Sequence, residues 1–498
     1  MKRSVLTFDS VTFKYPGGVK PVLRDVSFSV GPGWTSIAGA NGSGKSTLLK
    51  LAAGILSPDG GTVMVSGTSL YCMQRTDHPP EGFTDFVRSW LFPDLMARLG
   101  IQWDWPERWN TLSHGERKRA QLAMALSRSP DLLAVDEPVN HLDIDARNMV
   151  EEALASFQGT GLLVTHDRDL MDTLSSRCGI LRSDGISIRS GGYTVARRED
   201  AREQEALMEG RKQARDRFRQ LKRDARRKQL TARTLQARSS GRKISYREIC
   251  MTGADGPSRV DGSVQKAGQL SRTALARMER AREEMQSITF RKTYRSGIEM
   301  TGEGSQRNSL VELPRGTLES GPFRLHHPRL VIGPEDRIAL TGPNGSGKST
   351  LAGTLAAEMD LPEGRLLFIP QELSAEGSTL VLERARALGR DALGNVMSCV
   401  RRLGSDPESL LGSGLPSPGE TRKLLLCLGL LDNPWLIMMD EPTNHLDLPG
   451  IECLEEALSK LCCALLLVSH DRRFLRNTTD IEWRIDPSEG ANTLKVVL

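Results

Sequence analysis

The chain has no run approaching the roughly 18 to 20 apolar residues that a membrane-spanning helix requires. Its most apolar stretches, around Leu424–Met439 and Leu461–Val468, are short or interrupted by Asp432 and Asn433, which excludes a helical integral membrane protein. The opening "MKRSVLTFDS" has basic residues but no apolar block or small-residue cleavage site behind them, so no secretory signal is expected and the cytoplasm is the predicted compartment. Cysteine is sparse: eight in 498 residues, with no C-x-x-C spacing and one close pair, Cys462 and Cys463, in an apolar strand-like run. Buried reduced thiols are expected, not disulfides, a metal or an iron–sulfur site.

What is present is 38% apolar and 26% charged residues, the composition of a globular protein and not of a disordered chain. The length exceeds what one hydrophobic core supports, so two or more domains are expected. Net charge is only +5, but it is unevenly spread. The window Arg197–Arg295 holds 27 Lys and Arg against 13 Asp and Glu, a balance of +14 that leaves −9 for everything else.

The flanking parts repeat each other. "GANGSGKST" (Gly39–Thr47) follows the strand-like "WTSIA", and is succeeded by "YCMQ" ending at Gln74, "LSHGERKRAQLAMAL" from Leu112, "DLLAVDEPVNHLD" from Asp131 and "LLVTHD" from Leu162. In the same order come "TGPNGSGKST" after "DRIAL", "FIPQE" with Gln371, "PSPGETRKLLLCLGLL" from Pro416, "WLIMMDEPTNHLD" from Trp435 and "LLLVSHD" from Leu465. A duplicated α/β domain of about 200 residues is the economical reading, with boundaries at 1–195, 196–300 for the spacer and 301–498.

The spacer opens in a helix-favouring composition. Leu207, Ala214, Phe218, Leu221, Ala225, Ala232 and Leu235 fall at steps of seven, four and three, one narrow apolar seam. "MTGADGPSRVDGS" from Met251 breaks the helix, after which Leu275, Met278, Met285 and Ile288 draw a second seam. These predict a long antiparallel α-helical hairpin with its first helix over about 196–240 and its tip within 240–265.

Gly-x-x-x-x-Gly-Lys-Ser between a strand and a helix is a phosphate cradle. The loop Gly39, Asn41, Gly42, Ser43, Gly44, Lys45, Ser46, Thr47 and its copy Gly342, Asn344, Gly345, Ser346, Gly347, Lys348, Ser349, Thr350 turn successive backbone N–H groups inward. Lys45 or Lys348 then reaches the β and γ phosphates, and Ser46 or Ser349 holds Mg²⁺. The apolar runs ending in Asp136–Glu137 and Asp440–Glu441 suit buried parallel strands delivering acids to the C-terminal edge of a sheet. Asp136 and Asp440 would help hold Mg²⁺, and Glu137 and Glu441 would polarise the attacking water. Gln74 and Gln371 are placed to touch both the metal and the water, while His166 and His470 would donate to the γ-phosphate. Two readings of Tyr15 stand: stacking on adenine, or a core tyrosine.

"LSHGE" (Leu112–Glu116) and "PSPGE" (Pro416–Glu420) resemble the signature of ATP-binding cassette (ABC) ATPases, and with the rest of the set the resemblance covers nearly all of the chain outside the spacer. It implies two P-loop nucleotide-binding domains, each an α/β core with a helical subdomain, binding ATP and Mg²⁺. It also implies that one chain forms its own sandwich. Ser417 to Gly419 would complete the site of Lys45, and Ser113 to Gly115 that of Lys348. His114, Pro416 and Pro418 depart from the signature, and Val139 stands where the second copy has Thr443.

Tandem cassettes without membrane segments, an Arg-rich spacer and "DEPTNHLD" beside "SPGE" resemble the family F (ABC-F) ATPases. That resemblance implies a factor acting at the ribosomal exit site, whose spacer contacts P-site tRNA and rRNA. The 38 residues between Gln74 and Ser113 leave little room for an inserted arm, and no basic tail follows the second cassette; both features resemble the antibiotic-resistance branch. Independently, Arg211–Lys243 holds 14 basic residues and two acidic ones, a density suited to phosphate contacts. Few aromatics accompany them, so shape and backbone recognition is favoured over base stacking; a solvated helical face bridging two domains has the same composition. The competing class is a tandem ATPase subunit energising a membrane transporter, which needs no basic hairpin. A DNA-repair ATPase would split a cassette with its helices, whereas here they lie between complete cassettes.

Overall fold

The computed structural model describes residues 5–240, 256–287 and 304–497, apart from 19, 90, 141, 183, 321–322, 406, 408–409, 411–416, 445 and 489–490. The chain divides into two compact units: Met1–Ala196 together with Arg295–Leu498, and Arg197–Tyr294.

The first cassette runs β1 (Leu6–Phe13), β2 (Leu23–Val30), β3 (Gly33–Ala38), α1 (Lys45–Ala52), β4 (Gly60–Val65), β5 (Ser69–Cys72), α2 (Phe83–Ser89), α3 (Pro93–Arg98), α4 (His114–Ser127), β6 (Leu132–Asp136), α5 (Ile144–Ala155), β7 (Thr160–Val164), α6 (Arg168–Leu174), β8 (Ser175–Arg182) and β9 (Gly185–Ser190). Its main sheet has the order β5-β6-β7-β3-β8-β9, parallel except for the last pair, and β2-β1-β4 form a separate antiparallel sheet. Every residue of β6 and β7 is buried, as continuous apolar runs require in the middle of a sheet covered on both faces. One core, with Phe8, Leu23, Ile37 and Leu48, packs the antiparallel sheet and α1 against the main sheet. A second, with Leu133, Leu163, Phe86, Trp105 and Leu122, fills the helical side.

The spacer forms α7 (Tyr193–Ser240) and α8 (Gly256–Ser287). The second cassette follows with β10 (Val311–Leu313), β11 (Gly316–Ser320), β12 (Phe323–His327), β13 (Leu330–Ile332), β14 (Arg337–Thr341), α9 (Lys348–Glu358), β15 (Leu366–Ile369), α10 (Ala375–Arg386), α11 (Arg390–Arg402), α12 (Pro418–Gly429), β16 (Leu436–Asp440), α13 (Leu448–Ser459), β17 (Ala464–Val468), α14 (Arg472–Thr478), β18 (Ile481–Asp486) and β19 (Asn492–Val497). Its main sheet is β11-β12-β19-β18-β14-β17-β16-β15. The copies therefore agree in their central parallel strands, with β14, β16 and β17 standing for β3, β6 and β7.

Both signature serines start helices. Ser113 and Ser417 are N-caps closed by full capping boxes with Glu116 and Glu420, two backbone donors satisfied reciprocally. Pro418 sits in the first turn of α12, where a missing N–H breaks no helical bond; Pro416 lies outside the described residues.

In the second unit α7 is 48 residues, about 72 Å at 1.5 Å per residue. Its expected seam is present: Ala214 and Ala225 are buried, and Leu207, Phe218, Leu221, Ala232 and Leu235 half-buried. The seam on α8 needs correction. It runs through Ser271, Ala274, Met278, Ala281 and Met285, while Leu275 is exposed and Ile288 lies outside the described residues. Small residues take three of its five positions, and Leu275, one step past Ala274, is turned about 100° off the seam. The helix break is also shorter than expected. Met251–Asp255 lie outside the described residues, but "GPSRVDGS" is helical, with Pro257 in a first turn that tolerates it. Arg217 and Glu284 pair at 3.8 Å between the two helices.

The two cassettes touch directly. Arg168 pairs with Glu455 at 2.6 Å and Arg473 with Asp172 at 3.0 Å, and Leu448 packs among Met171, Cys178, Ile180 and Tyr193. Among the described residues no helix is long and apolar enough to cross a membrane, and none of the seven described cysteines forms a disulfide.

A candidate nucleotide site built from two cradles

Each cradle is a turn between a central strand and a helix. Gly44 and Gly347 precede α1 and α9 at φ 96° and 94°, a left-handed conformation that only glycine adopts without strain. The side chains expected to meet phosphate are folded onto their own loops. Lys45 Nζ donates to the carbonyls of Gly39 and Ala40 at 2.9 and 3.0 Å, and Lys348 Nζ to those of Gly342 and Pro343 at 2.9 and 2.8 Å. Burial holds both ammonium groups below the usual lysine pKa. Ser43 Oγ and Ser346 Oγ are buried with no hydrogen-bond partner among the described residues. Orphaned donors beside two pre-positioned lysines fit a polyanionic ligand.

A cavity of about 1000 Å³ is lined by both cradles at once, including Asn41, Gly42, Lys45, Ser46 and Thr47 from one and Asn344, Gly345, Lys348, Ser349 and Thr350 from the other. Gln74, Asp136, Glu137 and His166, and their counterparts Gln371, Asp440, Glu441 and His470, open onto the same space. Tyr15 stands on its wall, 39% exposed, with its hydroxyl 3.1 Å from Thr47 Oγ1, so it is not a core tyrosine. Val139 and Thr443 also line it. Ser113, Gly115, Ser417 and Gly419 do not: the two serines are exposed at their helix starts, and none of the four lies on the cavity.

The paired acids lie at the ends of β6 and β16, nine-tenths or more buried. Glu137 and Glu441 have φ of 47° and 49°, a strained conformation that persists only where the surroundings over-determine it. Burial, and then the neighbouring Asp136 or Asp440, push each of these glutamates up to about 8. The His166 backbone N–H donates to Glu137 Oε2 at 3.3 Å, and its ring Nε2 is 3.4 Å from Oε1. Burial, reinforced by Lys45, lowers His166 to about 3, so the ring is neutral. His470 Nε2 lies 3.6 Å from Glu441 Oε1 and 3.0 Å from Asn344 Oδ1.

Four residues in contact with the candidate site escaped the sequence reading. Tyr71 donates its hydroxyl to Asp136 Oδ2 at 2.9 Å; the second copy has Phe368 at the matching place in "FIPQ". Alignment of "YCMQ" with "FIPQ" carried that signal. Asp447, the N-cap of α13, accepts the Asn41 N–H at 3.0 Å across the cassettes, a contact no local pattern announces. Lys118 and Arg422 are buried behind the paired acids, as described below.

The ABC transporter family matches residues 23–140 and 325–402. Over 94% of this chain and 95% of its own length, the tylosin resistance ATP-binding protein TlrC of Streptomyces fradiae is 30% identical. The chain belongs to family F of the ATP-binding cassette proteins. The ribosome protection protein VmlR of Bacillus subtilis, another ABC-F relative, is 29% identical over 96% of this chain and 86% of its own. Among solved structures, RNase-L Inhibitor superposes with a TM-score of 0.63 at 18% identity, covering 98% of this chain and 90% of that one. A complex of archaeal ribosome recycling factor aABCE1 with the ribosomal stalk protein aP1 gives 0.62 at 18% identity over 97% and 89%. These two establish the fold. As an ABC-F protein the chain is an ATPase, with cassettes of the ATP-binding type.

Proposed function

We propose that the chain is an ATP-gated ribosome-binding factor of the cytoplasm that protects ribosomes from antibiotics. It works as three parts, cassettes 1–195 and 301–498 and the basic hairpin 196–300, in a single monomer. The observation that carries this reading is the cluster of 14 basic and two acidic residues over Arg211–Lys243, 12 of the basic ones on a helix of 48 residues, in a chain whose relatives bear the names tylosin resistance and ribosome protection protein.

The hairpin presents these cations to the phosphates of P-site tRNA and rRNA. In each cassette the cradle N–H groups and Lys45 or Lys348 bind the triphosphate. Glu137 or Glu441 orients the attacking water, and His166 or His470, neutral, donates a hydrogen bond to the γ-phosphate. Ser46, Gln74 and Asp136, or Ser349, Gln371 and Asp440, would hold Mg²⁺, which when bound neutralises charge on the phosphates. Ser417–Gly419 and Ser113–Gly115 close on the opposite nucleotide when the cassettes come together, so ATP favours the closed form and hydrolysis releases it. The exposed position of both serines leaves them available for that closure.

Co-sedimentation with ribosomes tests the reading, using Glu137→Gln with Glu441→Gln to hold ATP. ATP-dependent pelleting that falls steeply between low and high salt is expected; absence of pelleting at any salt overturns it. Replacing residues 240–265 by a short linker should keep ATP hydrolysis and abolish drug tolerance of growing cells.

A further inference from the structure

Lys118 has no exposed surface, and it is among the largest fully buried side chains of the protein. It lies on α4, five residues after Ser113, and Arg422, 7% exposed, lies five residues after Ser417 on α12. Neither lines the cavity itself. Lys118 Nζ donates to the carbonyl of Asp136 at 3.0 Å and to that of Met73 at 2.7 Å. Arg422 Nη2 donates to the carbonyls of Asp440 and Glu441, the latter at 3.2 Å. A buried cation thus reaches, in both copies, the carbonyl of the peptide that precedes the water-orienting glutamate. The N–H of the same peptide is held from the other side: Glu137 N donates to Val164 O and Glu441 N to Val468 O, each at 2.8 Å. Both polar groups of the peptide are pinned, and this is the peptide whose orientation sets the positive φ of Glu137 and Glu441. In the first copy the second bond adds the peptide before Gln74.

An ammonium or guanidinium with little or no surface is costly to bury, and an apolar side chain of similar volume would fill the space at lower cost. Packing therefore does not account for a cation here twice. We propose that Lys118 and Arg422 are positioning residues for hydrolysis: each clamps the strained peptide so that Glu137 or Glu441 faces the water, and each ties that orientation to its signature helix. Neither touches substrate. This rests on the ATPase assignment of Glu137 and Glu441 given above.

The test isolates one site at a time in the full chain. In a Glu441→Gln background, which leaves only the first site to turn over, Lys118→Met keeps the aliphatic arm and removes the donors. A lowering of kcat by about 100-fold, the scale of a misplaced reacting group, is expected. KM and equilibrium binding of a fluorescent ATP analogue should stay within about 3-fold, and Tm should not fall; loss of the donors without loss of binding separates positioning from a merely structural role. Lys118→Arg, which copies the second cassette, should restore kcat to within about 5-fold of the parent. Retention of kcat by Lys118→Met within about 2-fold, or a parallel fall of binding and kcat that Lys118→Arg does not rescue, overturns the assignment. Should Lys118→Met not fold, Arg422→Met in a Glu137→Gln background carries the same readouts; an unchanged kcat in it overturns the assignment. If the chain without substitutions hydrolyses no ATP, the ATPase reading falls and this inference with it. If it does hydrolyse ATP and the Met variant is unaffected, only this inference falls.

Discussion

Asp447 Oδ2 accepts the backbone N–H of Asn41 at 3.0 Å, while its other carboxylate oxygen caps α13 through the Gly450 N–H at 3.0 Å. One side chain thus starts a helix in the second cassette and holds the cradle of the first. Asp447→Ala should cost about 1–2 kcal/mol through the lost cap, and Asp447→Asn, which keeps an acceptor oxygen, markedly less. Denaturant titration of the two variants measures the difference, and equal losses would count against the cap.

The ion pairs between cassettes should differ sharply in worth. Arg168 and Glu455 pair at 2.6 Å with side chains 4% and 12% exposed. Removing one partner of such a pair strands a buried charge, so Arg168→Ala should destabilise by about 3–5 kcal/mol. Arg476, 67% exposed beside Asp169, should contribute under about 1 kcal/mol. Thermal unfolding of Arg168→Ala and Arg476→Ala compares them directly.

Glu137 and Glu441 set a pH dependence. Each is pushed up to about 8 from an unfolded value of 4.5, so the folded chain retains protons that the unfolded chain has released. The stability this confers is complete below pH 4.5 and is lost as pH rises through 8. Glu137→Gln, neutral throughout, should therefore raise Tm of the nucleotide-free protein by about 2–4 °C at pH 8.5 and by less than about 1 °C at pH 4.5. A gain of equal size at both pH values would show that the carboxylate is not the source.

Tyr71 steadies Asp136 from behind. Loss of such an outer hydrogen bond typically weakens metal binding 10- to 100-fold, so Tyr71→Phe should raise the Mg²⁺ concentration for half-maximal ATP-analogue binding at the first site by about 10-fold. The signature is a fluorescence titration of Mg²⁺ in a Lys348→Ala background. An unchanged titration would assign the Tyr71 hydroxyl to packing alone.

The phosphate cradles, the paired acids and the capped starts of α4 and α12 were legible because each is written in a few consecutive residues whose backbone conformation is dictated locally. The α7 seam was legible for the same reason, its side chains being large enough to show a period. On α8 the period is carried by Ser271, Ala274 and Ala281, too small to stand out beside Leu275. Lys118 hid inside the charged run "GERKRA", where a basic residue reads as solvent-facing until the strand ends it supports are in place. The positive φ of Glu137 and Glu441 depends on bonds from β7, β17 and the signature helices, which no window of contiguous sequence contains.

The root of α7 is gripped from the far cassette: Tyr193 donates its hydroxyl to Glu452 Oε1 at 2.7 Å, and Arg473 donates to Thr194 Oγ1 at 2.8 Å. A helix of about 72 Å multiplies whatever happens at its foot, so a tilt of about 5° there corresponds to about 6 Å at the full helix length. The leverage is supplied by helix length alone.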